Sequence, residues 1–407
     1  VGIFTNFVDN CVDIVNKGQI SDLYLPPNGP HHINICFAEP LIDAPVVPFT
    51  LPKLIPYNTA SLAMEADFPR LLQSQCRDWR KPVIVVSGLT PQQSELIHQF
   101  FQYKQLLFYI EGGANPPMSG LKTGLRLSEK ALTALARAGD IDGVIRLGNV
   151  PTTRFWRDLE QHLSHLPVVN ISNLPWRGLS RPSPVFPLVE ETMSALASVL
   201  SCDDTVFAKA QELNRVCQQS LEIYLKEFPR SEPAWFRRIS EALPKSCDVF
   251  LGNSLPIREW DMVAAGSCDP ASVQATRGLN GIDGQLSTFL GWSRDSVEAW
   301  GLFGDLTTLY DLSAPWILDQ LPVAARKIIV INNGGGKIFE RMFQNPWFVN
   351  SHQMDFSSWG EFWRMPYARW ASLADCSIAT GAQIIEVRPD WMQTRAFWEK
   401  YHAPRSS

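Results

Sequence analysis

The sequence has no apolar run that approaches the roughly 20 residues of a membrane-spanning helix, and its opening stretch, VGIFTNFVDN, lacks the basic and apolar regions of a signal peptide. It also has no basic cluster that could neutralise a row of phosphates, since 36 Lys and Arg stand against 41 Asp and Glu for a net charge of −5. These absences exclude a membrane span and disfavour a nucleic-acid partner. We therefore expect a cytoplasmic protein.

Disulfide and zinc patterns are missing as well. The eight cysteines stand at positions 11, 36, 76, 202, 217, 247, 268 and 376, with no CxxC pair and no recognisable metal spacing. We interpret them as reduced thiols that belong mostly to the core. With 45% apolar residues and 407 residues in all, the chain is typical of a globular protein of two or three domains.

What the sequence does contain is a recurring order of strand, glycine and helix. KPVIVVSG (81–88) is an apolar run that ends in glycine, and TPQQSELIHQFFQY (90–103) follows as a helix with Thr90 as N-cap and Pro91 in its first position. Similar units recur to about residue 200. Continuous apolar strands are typical of parallel sheets covered by helices on both faces.

A second series of such units follows two predicted helices at 204–228 and EPAWFRRISEAL (232–243). Its strands are CDVFLGN, ARKIIVINNGGG and GAQIIEVRPD, and it closes with an aromatic helix. We predict an α/β fold with two doubly wound parallel-sheet domains, a central one over 51–200 and a C-terminal one over 201–407. Residues 1–50 would be the edge of another domain and its linker, because a short β-prone run is followed there by a proline-rich stretch.

Polar residues follow several predicted strands, where ligands bind in open parallel sheets. Asp305 and Asn333 are separated by the length of one helix plus one strand, so we expect them at neighbouring strand ends. A carboxylate, an amide oxygen and a nearby carbonyl suit Mg²⁺, and the glycines of INNGGGKIF (331–339) would let a phosphate approach the backbone. On these residues alone, an Asp N-cap and an Asn-Gly turn explain the pattern about equally well.

The wider pattern changes that balance. Gly-Asp followed about 25 residues later by Asn-Asn is the diphosphate and metal signature of thiamine-diphosphate enzymes. The stretches GNSLPIR, TRGLNGIDG, GDLTTLYDL and NNGGGKIF, in that order, closely resemble the MenD family, menaquinone-pathway synthases that act on 2-oxoglutarate and isochorismate. The resemblance runs from HHINICFAEPL, which is similar to the end of the family's first domain, to the C-terminus. It is weaker in the central domain, where it depends on GNVPTTRF.

The resemblance implies a cofactor site built from oxygen ligands and apolar walls. Asp305, Asn333 and the carbonyl of Gly335 would hold Mg²⁺ or Mn²⁺ against the diphosphate of thiamine diphosphate. Ile282 would be the apolar wedge that bends this cofactor. The residues implied to line the cofactor are Gly304, Leu306, Thr307, Gly335 and Ile282.

It also implies a substrate site. Both substrates carry carboxylates, which the guanidinium groups of Arg258 and Arg277 would bind. Ser254 would hydrogen-bond to a substrate carboxylate or to the cofactor-bound intermediate, and Arg154 stands where the family usually has lysine. The residues implied to form the active centre are Ser254, Arg258, Arg277, Ile338, Phe339 and Arg154.

The implied reaction decarboxylates 2-oxoglutarate and adds the resulting carbanion to isochorismate. In this family the cofactor lies between two subunits, which implies a homodimer or homotetramer. A pyrimidine-binding domain with a catalytic glutamate would precede HHINICFAEPL, but only about 30 residues do so here. We therefore expect 1–50 to include a remnant of that domain and the chain to be inactive alone, while its metal and diphosphate half-site persists.

Two alternatives remain open at this point. The chain could be a related 2-oxoacid decarboxylase or an enzyme similar to acetohydroxyacid synthase, although Arg258 and Arg277 disfavour small neutral substrates. It could also be a non-catalytic module that binds a cofactor.

The segment WGEFWRMPYARW (359–370) could be a partner surface, but Trp and Phe at helical spacing are more often core.

Overall fold

The computed structural model describes residues 67–403, apart from 116–119, 175–176, 265–269, 278–280, 341–344 and 373–377, together with the backbone of two earlier strands. The chain divides into two compact units, residues 1–64 and 65–407. In the first unit, strands β1 (Cys11–Val15) and β2 (His32–Cys36) pair in parallel. The remaining elements belong to the second unit.

The first large sheet of the second unit has six strands in the order β5-β4-β3-β6-β7-β8, and every neighbouring pair is parallel. The strands are β3 (Pro82–Ser87), β4 (Leu107–Ile110), β5 (Leu125–Arg126), β6 (Gly143–Gly148), β7 (Val168–Ile171) and β8 (Val185–Phe186). The helices are α1 (Phe68–Cys76), α2 (Pro91–Phe101), α3 (Glu129–Arg137), α4 (Arg154–Gln161), α5 (Glu190–Val199) and α6 (Asp204–Glu227).

Both faces of this sheet are covered, as its apolar strands predict. Along β3, Ile84 and Val86 join one apolar core with α1, α2 and α5, whereas Val83 and Val85 join another with α3, α4 and α6. Successive side chains of a strand point to opposite faces, so a strand buried on both sides is apolar at most of its positions. All six residues of β3 are buried.

The second large sheet also has six parallel strands, in the order β10-β9-β11-β12-β14-β13. Its strands are β9 (Asp248–Leu251), β10 (Ser272–Ala275), β11 (Glu298–Gly304), β12 (Ala325–Ile331), β13 (Tyr367–Trp370) and β14 (Gln383–Val387). The helices are α7 (Glu232–Ala242), α8 (Leu255–Val263), α9 (Gln285–Trp292), α10 (Asp305–Leu309), α11 (Lys337–Glu340), α12 (Ser357–Phe362) and α13 (Trp391–His402).

The same alternation divides the core of the second sheet. Ile329 and Ile331 of β12 face the core shared with α7, α8 and α13, and Ile328 and Val330 face the core shared with α9 and α12. The predicted α/β fold with two doubly wound parallel sheets is therefore confirmed. The two sheets lie within the predicted ranges 51–200 and 201–407, while the domain boundaries themselves stay predictions.

Local predictions have mixed outcomes. The helix after KPVIVVSG is confirmed, since Thr90 caps α2 through a full capping box with Gln93 and Pro91 opens it. The prediction of a helical aromatic core over 359–370 is wrong in part: α12 ends at Phe362 and 367–370 form the edge strand β13. Arg364 has a positive φ of 52° and lies between them, where the chain turns from one element to the other.

The described cysteines and helices agree with the patterns that the sequence lacks. Cys76, Cys217 and Cys247 are buried and Cys202 is half-buried, and these four residues carry thiols rather than disulfides. In the part of the chain that the structure describes, every helix is too short or too polar to cross a membrane.

Candidate functional site

The carboxyl ends of β11 and β12 lie side by side at the centre of the second sheet. The two strands pair in parallel with Gly304 opposite Ile331, so Asp305 and the asparagines at 332 and 333 leave the sheet at the same edge. The predicted adjacency of Asp305 and Asn333 is confirmed. It follows from the parallel register, because one helix-and-strand unit returns the chain to the same edge.

The carboxylate of Asp305 organises the loop that follows β12. Its Oδ2 accepts hydrogen bonds from the backbone N–H groups of Gly334 at 2.8 Å and Gly335 at 2.9 Å. Its Oδ1 accepts one hydrogen bond, from the N–H of Leu306 at 2.7 Å, and therefore has room for a second partner. Nε2 of His352 lies 3.2 Å from Oδ2. Asp305 is 2% exposed, so this is a buried carboxylate held by backbone amides.

Two of the three glycines in this loop are required by its geometry. Gly334 and Gly335 have φ values of 82° and 137°, which side chains other than glycine rarely adopt. A Cβ atom on Gly335 would also lie 2.6 Å from the carbonyl oxygen of Val349. The glycines thus allow two consecutive N–H groups to converge on one carboxylate while a second loop packs against them.

Asn333 presents an amide oxygen that nothing in the described chain satisfies. Its Nδ2 donates to both carboxylate oxygens of Glu232, at 3.1 and 3.0 Å. Its Oδ1 is buried and has no hydrogen-bond partner among the described residues. A buried polar atom without a partner is uncommon in a native protein and calls for a ligand, an ion or a water. The helix-cap and turn explanation accounts for Asp305 and the glycines but not for this oxygen.

Substrate-binding candidates lie at the end of β9. Ser254 has a φ of 73° and a ψ of −128°, a conformation that costs a non-glycine residue about 1–3 kcal/mol and occurs preferentially at functional sites. The guanidinium of Arg258, one turn into α8, donates to the Ser254 carbonyl oxygen at 2.5 Å. This hydrogen bond fixes the arginine over the start of its own helix.

A second arginine is positioned by Asn253. Arg277 donates from Nη1 to Asn253 Oδ1 at 2.7 Å, and Asn253 Nδ2 donates to the carbonyl oxygen of Gly281 at 2.7 Å. Gln285 donates to the same carbonyl at 2.6 Å. Because the side-chain amides of Asn253 and Gln285 both donate to the Gly281 carbonyl, the next residue, Ile282, is fixed in place shortly before α9.

All of the residues predicted to form the site line one cavity of about 1890 Å³. This volume exceeds the ~300–1,000 Å³ of a typical small-molecule pocket and leaves room for more than one ligand. The lining includes Arg154, but its guanidinium is already paired with Asp158 at 2.9 Å. The cavity residues from the predicted site are Arg154, Ser254, Arg258, Arg277, Ile282, Gly304, Asp305, Leu306, Thr307, Asn333, Gly335, Ile338 and Phe339.

Burial shifts the charges in this cavity toward their neutral forms. It raises the pKa of Asp305 despite its backbone hydrogen bonds, and it raises the pKa of Glu232 to about 7. Burial also lowers the pKa of Arg277, and the positive charge of Arg258 lowers it further. Two guanidiniums that repel each other in a partly desolvated cavity favour an anionic ligand between them.

Several residues of the site carried no sequence signal that sets them apart. Glu232 is a common kind of residue for the first turn of a helix, where acidic side chains complement the helix dipole. His352 lies in a segment without regular structure. Asn253 could have been found, since it is a polar residue that follows a buried strand after a single glycine, in the stretch GNSLPIR.

A buried carboxylate supports the loop from behind. Glu386 on β14 is fully buried and accepts hydrogen bonds from Asn332 Nδ2 at 2.7 Å and from the N–H of Phe356 at 3.1 Å. Tyr367 and Arg388 also donate to it. Burial opposes its ionisation, but these hydrogen bonds prevail and hold the pKa of Glu386 below its ordinary value.

The chain is similar in sequence to synthases that share one name. A 2-succinyl-5-enolpyruvyl-6-hydroxy-3-cyclohexene-1-carboxylate synthase of Bdellovibrio bacteriovorus is 35% identical over 410 aligned residues, covering 98% of this chain and 76% of the relative. A synthase of the same name from Akkermansia muciniphila is 32% identical over 388 residues, covering 90% of this chain and 70% of the relative. No family model matches the chain.

One solved structure supports the fold. An X-ray structure of a protein from Mycobacterium smegmatis, described as a thiamin diphosphate-dependent enzyme, superposes with a TM-score of 0.56 over 89% of this chain and 71% of that chain. The two sequences are 17% identical, so the likeness shows the α/β architecture.

Replacing Glu386 tests the support behind the loop. Because its folded-state pKa lies below the ordinary value of 4.5, its ionised form stabilises the fold above that pH, and the stabilisation is lost as pH falls through the lower folded-state pKa. Glu386→Gln should therefore lower the free energy of unfolding by about 2 kcal/mol at pH 7. The difference from the wild-type chain should shrink below about pH 4.5. Urea denaturation at several pH values measures it.

The exposed Glu361 is the matched control, and Glu361→Gln should change the free energy of unfolding by less than about 0.5 kcal/mol at every pH. A deficit in Glu386→Gln that stays constant between pH 7 and pH 3 would contradict the interpretation, since it would not depend on the charge of Glu386.

Proposed function

The chain belongs to the 2-succinyl-5-enolpyruvyl-6-hydroxy-3-cyclohexene-1-carboxylate synthase family, and from this premise we propose how its residues perform the reaction. It is a thiamine-diphosphate-dependent enzyme of menaquinone biosynthesis that forms a carbon–carbon bond. The proposed substrates are 2-oxoglutarate and isochorismate. The relatives' shared name favours this reaction over the decarboxylase and the non-catalytic alternatives.

The proposed metal site consists of Asp305, Asn333 and the carbonyl oxygen of Gly335, and it would hold Mg²⁺ or Mn²⁺. The observation that carries it is the buried, unsatisfied Oδ1 of Asn333, next to a carboxylate with one oxygen open to a further partner. The donors are all oxygens and include one carboxylate. This is the set with which Mg²⁺ is usually bound when a substrate phosphate supplies further ligands.

Thiamine diphosphate, when bound, supplies the carbanion chemistry that decarboxylation of a 2-oxoacid requires. The chain's own contribution is position and charge. Thr307 is buried and Leu306 half-buried directly after Asp305, and together with Gly304 they would line the diphosphate. Ile282 would press on the cofactor from the opposite wall, because Gly281 before it is held by two side-chain amides.

The substrate side of the cavity would bind carboxylates. Arg258 donates to the carbonyl oxygen of Ser254 and Arg277 donates to Asn253 Oδ1, and both guanidiniums line the cavity in which a carboxylate would bind. Their mutual repulsion would be relieved by the negative charge of a dicarboxylic acid. Ser254 lies at the start of α8 and lines the same cavity, and Ile338 and Phe339 would form the apolar wall around the reacting carbons.

Arg154 differs from the other two arginines because it is already in an ion pair. Its ion pair with Asp158 holds the guanidinium along α4, and its side chain is 58% exposed. It would contact a substrate only after leaving this pair, so we propose for it an auxiliary role at the rim of the cavity.

We also propose that the protein forms a homodimer or homotetramer and that it is located in the cytoplasm. An aromatic patch formed by Leu312, Trp316, Phe362 and Trp363 supports it. Trp316 and Phe362 are 72% and 75% exposed, and both rings contact Trp363, at 6.3 and 5.0 Å between ring centroids. Contiguous exposed apolar side chains of this size are typical of protein–protein interfaces.

Binding of the cofactor tests the metal site. In a calorimetric titration with thiamine diphosphate, we expect binding that requires Mg²⁺. Asp305→Asn keeps an oxygen that can accept from the loop amides but removes the charge. This variant should weaken Mg²⁺-dependent binding by more than the ~10–100-fold that loss of an outer partner of a metal site costs.

The control for this titration is Asp295→Asn, whose side chain is 90% exposed and outside the cavity. It should bind the cofactor as the wild-type chain does. Equal binding by the wild-type chain and Asp305→Asn, with or without Mg²⁺, would refute the proposed site.

The substrate role of the arginines can be tested with glutarate, a dicarboxylate without the keto group that reacts. Arg277→Met and Arg258→Met should each weaken glutarate binding by about tenfold or more, because each loses a charge-assisted hydrogen bond to a carboxylate. Calorimetry on the chain with thiamine diphosphate and Mg²⁺ gives the dissociation constants. Arg294→Met, a 69% exposed arginine, should have no effect, and unchanged affinity in both cavity variants would contradict the assignment.

The aromatic patch makes a prediction for assembly. The double variant Trp316→Glu, Phe362→Glu should shift the wild-type oligomer to monomer in sedimentation velocity at micromolar concentration, because burying two carboxylates in an apolar contact is costly. Ile223→Glu, at a 60% exposed position on α6, should leave the oligomer intact. An oligomer unchanged by the double variant would place the interface elsewhere.

A further inference from the structure

We propose that Glu232 is a positioning residue of the metal site, because both of its carboxylate oxygens face Asn333 Nδ2 and so direct the amide oxygen of Asn333 toward the metal. This inference rests on the metal site proposed above. It adds a residue whose effect on the metal passes through Asn333.

The position of Glu232 is fixed from two sides. It is the first residue of α7, directly after the N-cap Ser231, whose hydroxyl oxygen accepts from the N–H of Ala234. The backbone N–H of Glu232 donates to Thr394 Oγ1 on α13 at 3.0 Å. The residue is 1% exposed. Its carboxylate is therefore held at the junction of α7 and α13, away from solvent.

The direction of its contact with Asn333 is determined by chemistry. Whether Glu232 is ionised or protonated, at least one of its two oxygens can only accept hydrogen bonds, so the amide group that faces both oxygens must be the NH₂ and not the carbonyl. Both oxygens of Glu232 lie within 3.1 Å of Nδ2. With the NH₂ group oriented toward Glu232, Oδ1 must point away from Glu232, and it is this atom that lacks a partner in the described chain.

An acidic residue in the first turn of a helix does not need this arrangement. Such residues usually remain solvated and contribute roughly 0.3–1 kcal/mol through the helix dipole. Glu232 is instead buried beside Asp305, where desolvation penalises its charge. A contact that costs desolvation and orients one amide is understandable if the orientation of that amide matters.

Loss of the contact between Glu232 and Asn333 matters because the carbonyl and NH₂ groups of an amide interact with a cation in opposite ways. Without Glu232, Asn333 could rotate and present its NH₂ group to the cation, which repels it. Outer partners of this kind typically change metal affinity by about 10–100-fold. The effect should appear in binding of the metal itself, before any turnover.

The experiment titrates the full chain with Mn²⁺ in the presence of thiamine diphosphate and follows free Mn²⁺ by electron paramagnetic resonance. Glu232→Leu, which removes both acceptors, should weaken Mn²⁺ binding by about 10–100-fold. Glu232→Gln keeps one acceptor oxygen and should lose less. Asn333→Asp should also bind weakly, since it places a second carboxylate against Glu232.

The deciding variant combines two changes, Glu232→Gln and Asn333→Asp. Its hydrogen bond runs in the reverse direction, with the Gln NH₂ donating to the Asp carboxylate, while the summed charge of the pair is unchanged. One Asp oxygen is then free to face the metal. We expect the double variant to bind Mn²⁺ at least about tenfold more tightly than Asn333→Asp alone. A role limited to stabilising α7 predicts no such recovery.

Glu259→Gln is the matched control. Glu259 is another 1% exposed carboxyl group on the same cavity, and burial together with the charge of Glu232 raises its pKa. Its oxygens have no hydrogen-bond partner among the described residues, so it does not orient Asn333. We expect its Mn²⁺ affinity to remain within about twofold of the wild-type value.

Circular dichroism melts establish that each variant is folded before titration. If folded Glu232→Leu binds Mn²⁺ like the wild-type chain, or if the double variant binds no better than Asn333→Asp, the positioning role is wrong while the metal site stands. If the wild-type chain binds Mn²⁺ no more tightly than Asp305→Asn, the metal site itself is wrong and the inference falls with it.

Discussion

The hydrogen bonds from two consecutive glycine amides to the buried carboxylate of Asp305 are the constraint on which this site depends. They exist because β11 and β12 are neighbours in a parallel sheet, so that the residue after one strand meets the loop after the other. A carboxylate buried to this degree must be satisfied by donors, and the glycine loop supplies them. The loop in turn can approach only because Gly334 and Gly335 adopt positive φ values.

The two asparagines ahead of the glycines extend this constraint in opposite directions. Asn332 donates its side-chain NH₂ to Glu386 on β14, and Asn333 donates its own to Glu232 on α7. Adjacent residues that continue from a strand point to opposite faces, so one sequence pair reaches two buried carboxylates on either side of the sheet edge. The loop is thus held at three acidic residues, and the amide oxygen of Asn333 is left without a partner among the described residues.

The sequence predicts the parts of this arrangement that follow from periodicity and from chain order. Apolar strands at regular spacing gave the two parallel sheets, and the separation of Asp305 from Asn333 gave their adjacency. The supporting residues were not predictable in the same way. Glu232 and Glu386 are far from the loop in sequence, and the local pattern of each is explained by a helix start or a buried strand.

The error at 359–370 has a related cause. Trp359 and Trp370 are both buried, at 8% and 1% exposure, but a helix and then a strand bury them, and aromatic spacing alone cannot tell these apart. The turn between the two elements depends on the positive φ of Arg364, a residue with no turn preference of its own. Local composition therefore predicted burial correctly for these two tryptophans without predicting the element.

The choice of an amide at position 333 follows from the charge that such a site has to balance. A diphosphate brings its own negative charge to the cation, so each further carboxylate ligand adds repulsion as well as attraction. One carboxylate from Asp305 with neutral oxygens from Asn333 and Gly335 supplies ligands at a lower charge. Both oxygens of a carboxylate can bind a cation, but an amide binds it only through its oxygen and repels it if the NH₂ group faces it. An acceptor such as Glu232 is therefore needed to hold the NH₂ group away from the metal. The neutral ligand and the buried acid are therefore two parts of one solution, in which the negative charge is kept one side chain away from the metal.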